Sequence, residues 1–211
     1  MNKDDIGKDE AVEALRRLVG RDLRALAAKY GVTVFKTGAG FNKGWAGHVL
    51  ERYLGLPLNS AQRPDLGDWE LKVIPLALTG KGHLRVKETM AITMINATQV
   101  VATPFRDSHL YQKLCRVILC ARIRVDRLET SSPLVRVEDI DLNDPLHAAS
   151  LATIAMDYEL VRQTIREHGF DALSGNMGVL VQPRTKGPGY GSRSRAFYAR
   201  ASTLALLLKL E

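Results

Sequence analysis

The chain has only two cysteines, Cys115 and Cys120, and both fall in one run, CRVILC. No further cysteine can complete a zinc site, and His48, His83, His109, His147 and His168 show no metal-ligand spacing. The pair reads as two small core residues on a buried strand, in a protein kept in a reducing compartment. No N-terminal apolar run resembles a signal peptide, and no stretch approaches the roughly 20 apolar residues of a membrane span. A cytoplasmic protein without a membrane partner is therefore expected. Glycines gather in TGAGFNKG, but the phosphate-cradling order G-x4-G-K-[ST] is missing, which argues against nucleotide binding. Internal repeats, low-complexity tracts and an obvious linker are lacking too. One more scarcity is local: residues 172–210 contain no Asp or Glu.

What is present is ordinary globular material. The 211 residues are 45% hydrophobic and 25% charged, enough for one large domain or one domain with lobes. The net charge of +7 and pI near 9.5 suit an acidic partner. DEAVEALRRLVG has a helical apolar period at Val12, Leu15 and Leu18 and stops at Gly20. RDLRALAAKYG predicts a second helix, capped by Asp22 and ended by Gly31, and WAGHVLERYLG a third, amphipathic one. The pattern then turns to strands in WELKVIPL, KETMAITMIN and CRVILCARIRV, the last nearly continuous in apolar residues, as in a central strand. The longest helix is expected in NDPLHAASLATIAMDYELVRQTIREHG, opening at Asn143 or Asp144 before Pro145 and stopping at Gly169. GVLVQP predicts another strand, PRTKGPGYGSRS a long loop, and STLALLLKL a final helix or strand. Helices flanking a run of strands predict a mixed α/β domain.

The segment RPDLGDWELKVIPL carries the chemistry. Residues two apart on a strand share a face, so Glu70 and Lys72 point one way while Trp69, Leu71 and Val73 point the other. Asp65 or Asp68 joins them from the preceding turn, giving D-x4-E-x-K with Asp65. Two carboxylates bind a hard divalent cation through oxygen, and a neighbouring lysine can stabilise charge developing on a phosphate. Phosphodiester hydrolysis needs that trio. On its own the pattern also describes an ion pair on a solvated strand face.

A second constellation lies at the C-terminal end. Arg184, Lys186, Arg193, Arg195 and Arg200 stand among glycines and serines without an acidic neighbour. Such a loop can bring backbone and cations to DNA, where arginine forks reach guanine edges.

Four segments in order, NKGWAGHVLERYLG, PDLGDWELKVIP, KETMAITMIN and SHLYQKLCRVIL, resemble the MutH family of endonucleases, which contains a mismatch-repair nicking enzyme and related restriction enzymes. The likeness extends from about Asn42 to Tyr198. It implies an α/β, restriction-endonuclease-like core: a mixed central sheet flanked by helices, with two lobes around a DNA cleft. One such domain would span residues 1–211, with an N-terminal helical region over 1–40, a catalytic core of about 41–125 and a DNA-contacting region of about 140–211.

Carried over by motif, Glu70 and Lys72 fall on the family's E-L-K, Asp65 on its metal-binding aspartate and Glu51 on a helix glutamate supporting the site. Lys43 opens the K-G-W motif, and Lys113 lies in the S-H-x-x-x-K-L segment beside His109. Arg184 and Lys186 fall near a basic pair, and Tyr198 lies in an F-Y segment, either discriminating bases or packing under the loop. Arg193 and Arg195 complete the expected DNA contacts. The interval from aspartate to glutamate is two residues shorter than in the repair enzyme, which leaves Asp68 in contention and leaves the choice between repair and restriction open. The resemblance implies a Mg2+-dependent endonuclease, with Mn2+ able to substitute, acting on double-stranded DNA with mismatch-repair proteins as further partners. Its expected place is the cytoplasm, at the nucleoid. A DNA-binding protein that has lost its chemistry is the alternative.

Overall fold

The computed structural model describes residues 6–36, 40–56, 64–125, 128–187 and 193–210. Along the chain run α1 (Lys8–Arg16), α2 (Leu23–Lys29), β1 (Phe35–Lys36), β2 (Gly40–Phe41), α3 (Trp45–Tyr53), β3 (Glu70–Leu78), β4 (Leu84–Val86) and β5 (Met90–Met94). Then follow α4 (Ala97–Ala102), α5 (His109–Leu114), β6 (Arg116–Ile123), β7 (Leu134–Asp141), α6 (Ala148–His168), β8 (Val181–Thr185), β9 (Arg195–Ala199) and α7 (Ala201–Leu207). They form two compact units, one comprising Met1–Lys87 and Val117–Asp139, the other Glu88–Arg116 and Ile140–Leu210.

The first unit is built on a mixed sheet in the order β4-β3-β6-β7. β3 runs antiparallel to β4 and parallel to β6, with Glu70 opposite Val117 and Lys72 opposite Leu119. The parallel step is why β6 is apolar almost throughout: Val117 to Ala121 are all fully buried. Leu71, with Trp69 and Val73 beside it, packs into one core with Val12, Leu15, Leu23, Trp45, Val49 and Leu50 of the three helices. Each such side chain withdrawn from water contributes about 1.5–3 kcal/mol. The expected apolar face of the strand therefore does meet the helices. Asp22 caps α2 as its position suggests, accepting from Arg24 N–H at 2.9 Å and from Ser132 N–H at 2.7 Å. Gly31 ends that helix at φ +61°, a conformation open to glycine without strain.

The second unit holds an antiparallel sheet in the order β5-β9-β8, with α6 as its long helix. Asp144 caps a single 3-10 turn, Pro145–His147, from which α6 continues to Gly169. Leu151, Ile154, Tyr158, Val161 and Ile165 are its buried face. The Tyr158 ring stacks on Phe197 at 5.8 Å, and its hydroxyl donates to the Thr103 carbonyl at 2.9 Å.

Two expectations change, and one left open is decided. PRTKGPGYGSRS is not one long loop: Pro183–Thr185 belong to β8 and Arg195 starts β9, in an antiparallel pair with Thr185 opposite Arg195. Pro183 is tolerated there because β8 lies at the sheet edge. Residues 188–192 of that segment, and 37–39 of the glycine-rich loop, lie outside the described residues. Cys115 caps the end of α5 rather than sitting within a strand. STLALLLKL, left open between helix and strand, is helical in α7. Both thiols are buried, and enclosure pushes Cys120 up to about 12, which leaves it inert. Among the described residues no helix is long and apolar enough to cross a membrane.

Candidate active site

The chain enters β3 through a tight reversal. Leu66 and Trp69 exchange both backbone hydrogen bonds at 2.9 Å, with Gly67, at φ +60°, and Asp68 between them at the tip. This fold-back returns Asp65 to the strand, where its Oδ2 accepts the Leu71 N–H at 3.0 Å. Asp68 stays exposed on the turn. Its parity with Glu70 and Lys72 required an unbroken strand, and the reversal removes that argument.

Glu70 is 2% exposed, and the Lys72 ammonium donates to its Oε1. The shared face of Glu70 and Lys72 is thus not an open surface: it continues into Ile74 and Leu76, both buried. A carboxylate so enclosed is tolerable only when paired, which makes Lys72 a structural as well as a chemical partner. Glu51 reaches the same place from α3. Burial pushes its carboxyl above the ordinary range; His48 and Lys72 pull it down, while Asp65 and Glu70 push it further up. Asp65, Glu70, Lys72 and Glu51 therefore form one electrostatic cluster within the first unit. Lys43 is exposed just ahead of α3, in a turn held by Asn42, which donates to the Thr33 carbonyl at 2.8 Å and accepts from Gly44 N–H at 3.2 Å.

The remaining expected residues belong to the second unit. Lys113 is half-buried on α5, and His109, first in that helix, has a buried Nδ1 without a partner. Arg184 is exposed on β8; it donates to Thr89 Oγ1 at 3.0 Å, and its guanidinium lies 5.9 Å from the ring of half-buried Tyr198. Lys186 and Arg193 are exposed on the arms of the hairpin. Arg195 is more committed: it donates to the Asp171 carbonyl at 3.3 Å and Thr185 Oγ1 at 3.2 Å, and lies 5.9 Å from the Phe170 ring.

Among the described residues, no group of three or more His, Cys, Asp or Glu is disposed to hold a metal ion. The donors available at the cluster are hard carboxylate oxygens, of the kind that suits a cation retaining several waters.

Two arrangements were not foreseen. Glu129 is wholly buried beneath Trp45 and Arg122, and no periodicity marks it. Asp157 is buried on α6, at 3% exposure. Its signal was readable: it falls three residues after Ile154 and four before Val161, on the apolar stripe itself.

Fold and site together define a class: a mixed α/β protein of restriction-endonuclease-like fold, with two acids and a lysine gathered where one sheet strand begins. Comparison with known proteins gives its relatives. The model for "DNA mismatch repair enzyme MutH" matches residues 54–145, which include Asp65, Glu70, Lys72 and Lys113. The DNA mismatch repair protein MutH of Vibrio campbellii is 26% identical over 205 residues, covering 94% of this chain and 85% of the relative. That of Klebsiella pneumoniae is 26% identical, covering 95% and 84%. That of Vibrio vulnificus is 30% identical over 69% of this chain and 62% of its own. The chain is thus similar to the MutH family over most of its length.

Proposed function

We propose that this chain is a divalent-metal-dependent endonuclease on double-stranded DNA, working in mismatch repair as a strand-nicking enzyme. The observation that supports the chemistry is the gathering of Asp65, Glu70, Lys72 and Glu51 around the start of β3. The repair setting is supported by the names of the relatives. A cytoplasmic location at the nucleoid and contacts with other repair proteins belong to the same reading.

Asp65 and Glu70 would hold Mg2+, which when bound would polarise the scissile phosphate and lower the pKa of the attacking water. The Leu71 N–H fixes the orientation of Asp65, so that its carboxylate is set before DNA arrives. Lys72 is placed to offset charge gathering on the phosphate oxygens. Glu51, whose proton is held more tightly than that of a free glutamate, can take up a proton at the edge of the cluster. Supercoiled plasmid should be nicked in Mg2+ or Mn2+ and left intact in EDTA, with Ca2+ supporting binding but little cleavage. Full cutting in EDTA would end this reading.

The hairpin and Lys43 and Lys113 would carry the DNA. Lys186 and Arg193 fit phosphate contacts, and Arg184 beside Tyr198 fits reading of a base. Replacing Lys186 and Arg193 by Ala should flatten the log–log salt dependence of binding by roughly one unit for each phosphate no longer neutralised. Binding of a duplex in Ca2+ across several salt concentrations measures it, and an unchanged slope would place the DNA elsewhere.

A further inference from the structure

The segment that leads into β8 is surface chain, yet three of its N–H groups and three of its carbonyls are held by two side chains of the same unit. On one side, the buried Asp157 carboxylate accepts the N–H groups of Val179, Leu180 and Val181 at 2.7, 2.7 and 2.8 Å. On the other, Arg200 donates to the carbonyls of Gly175, Met177 and Gly178 at 3.2, 2.9 and 3.2 Å. Thr203 closes the set by donating to the Leu180 carbonyl at 2.7 Å, while Arg200 N–H reaches the same oxygen at 3.0 Å. Gly178 sits at φ +76°, and a Cβ there would stand 1.9 Å from the Val181 carbonyl and 3.1 Å from the Asp157 carboxyl.

A carboxylate enclosed under three converging N–H groups holds that backbone firmly, because hydrogen bonds to a carboxylate are strong and these are shielded from water. The strap it holds has one immediate continuation. Val181, whose N–H Asp157 takes, is the first residue of β8, and three residues on stands Arg184. Arg200 directly follows β9, which carries Tyr198 opposite Gln182. The two clamps thus fix both strands at the Val181–Ala199 end, next to Tyr198; Arg184, opposite Ala196 toward the other end of β8, lies against the strap itself, its Cγ 3.5 Å from where a Cβ on Gly175 would stand.

We propose that Asp157 and Arg200 are positioning residues for DNA recognition: they lock the 175–181 strap and so set the reach of Arg184 and Tyr198. This rests on the reading of Arg184 as a DNA contact. The catalytic cluster belongs to the other unit. Loosening the strap should therefore weaken productive binding without slowing the chemical step.

The test is steady-state nicking of supercoiled plasmid in Mg2+ by full-length Arg200→Ala, Arg200→Lys, Asp157→Asn and Arg184→Ala, below the melting temperature of each. Arg200→Ala and Asp157→Asn should raise KM roughly ten- to a hundredfold with kcat held within about twofold, as expected for loss of buried hydrogen bonds felt only through binding. Arg200→Lys, which keeps the charge but loses the fork, should fall between. A lower melting temperature with unchanged KM would reduce the clamps to structural ones and overturn the proposal, as would a fall in kcat alone. Arg200 is only half-buried, so its two variants decide the matter should Asp157→Asn not fold. If Arg184→Ala leaves KM unchanged, the Arg184 reading fails; if it raises KM and the clamp variants do not, only the positioning role fails.

Discussion

Glu70→Gln should lower plasmid nicking by about 10²–10³-fold or more while DNA is still bound in Ca2+, the size expected when one preorganised charged group is removed from a transition state. The amide keeps the shape of the side chain and removes only its charge. Lys72, 23% exposed, can then turn its ammonium toward solvent, so little stability should be lost. Lys72→Ala should be equally inactive but less stable, because it takes the ammonium away from the buried Glu70 carboxylate. Asp65→Asn should follow Glu70→Gln, since the Leu71 N–H can still be accepted while the anionic ligand is gone. Asp68→Asn should cut normally. An active Glu70→Gln, or an inactive Asp68→Asn beside an active Asp65→Asn, would refute the assignment.

The sequence showed the helices and the acid–lysine strand because local rules agreed there. Asp22 and Asp144 cap, Gly31 and Gly169 stop with positive φ, and the apolar period is the buried face observed, although α1 ends at Arg16, ahead of the expected stop at Gly20. β7 escaped because LVRVEDID alternates charge with apolar residues. Its Asp139 is spent on Lys8 at 3.1 Å and Arg16 at 2.7 Å, 131 and 123 residues away, and no local pattern shows such a partner. β9 escaped because its arginines read as loop, although Ala196, Phe197 and Ala199 are core. The two-residue shortening between Asp65 and Glu70 was legible, but its meaning was not. Only the paired bonds of Leu66 and Trp69 show that the chain doubles back and returns Asp65 to the strand.

The second large effect concerns a residue that a sequence reading passes over. Glu129→Ala should destabilise the protein by about 3–5 kcal/mol, the range for breaking one side of a buried ion pair. Glu129 is 0% exposed and holds φ +47°, a conformation kept only where the surroundings impose it. Its Oε2 accepts Trp45 Nε1–H at 2.9 Å and Arg122 at 2.8 Å, and its Oε1 accepts a second Arg122 nitrogen at 3.2 Å. Arg122 is itself only 4% exposed, stands 4.9 Å from the Trp45 ring, and donates to Ser132 Oγ at 2.8 Å. Without Glu129, a guanidinium is left enclosed and uncompensated, and the indole N–H loses its acceptor. Trp45 is the first residue of α3, the helix that carries Glu51, so the loss also slackens the anchor of the acidic cluster. Thermal unfolding should show a fall of about 10 °C or more at this chain length. Removing both charges together, as Arg122→Met with Glu129→Leu, should recover much of it, because neither partner is then stranded. A Glu129→Ala protein that melts within about 2 °C of the parent would show that the pair contributes no net stability to the anchor of α3.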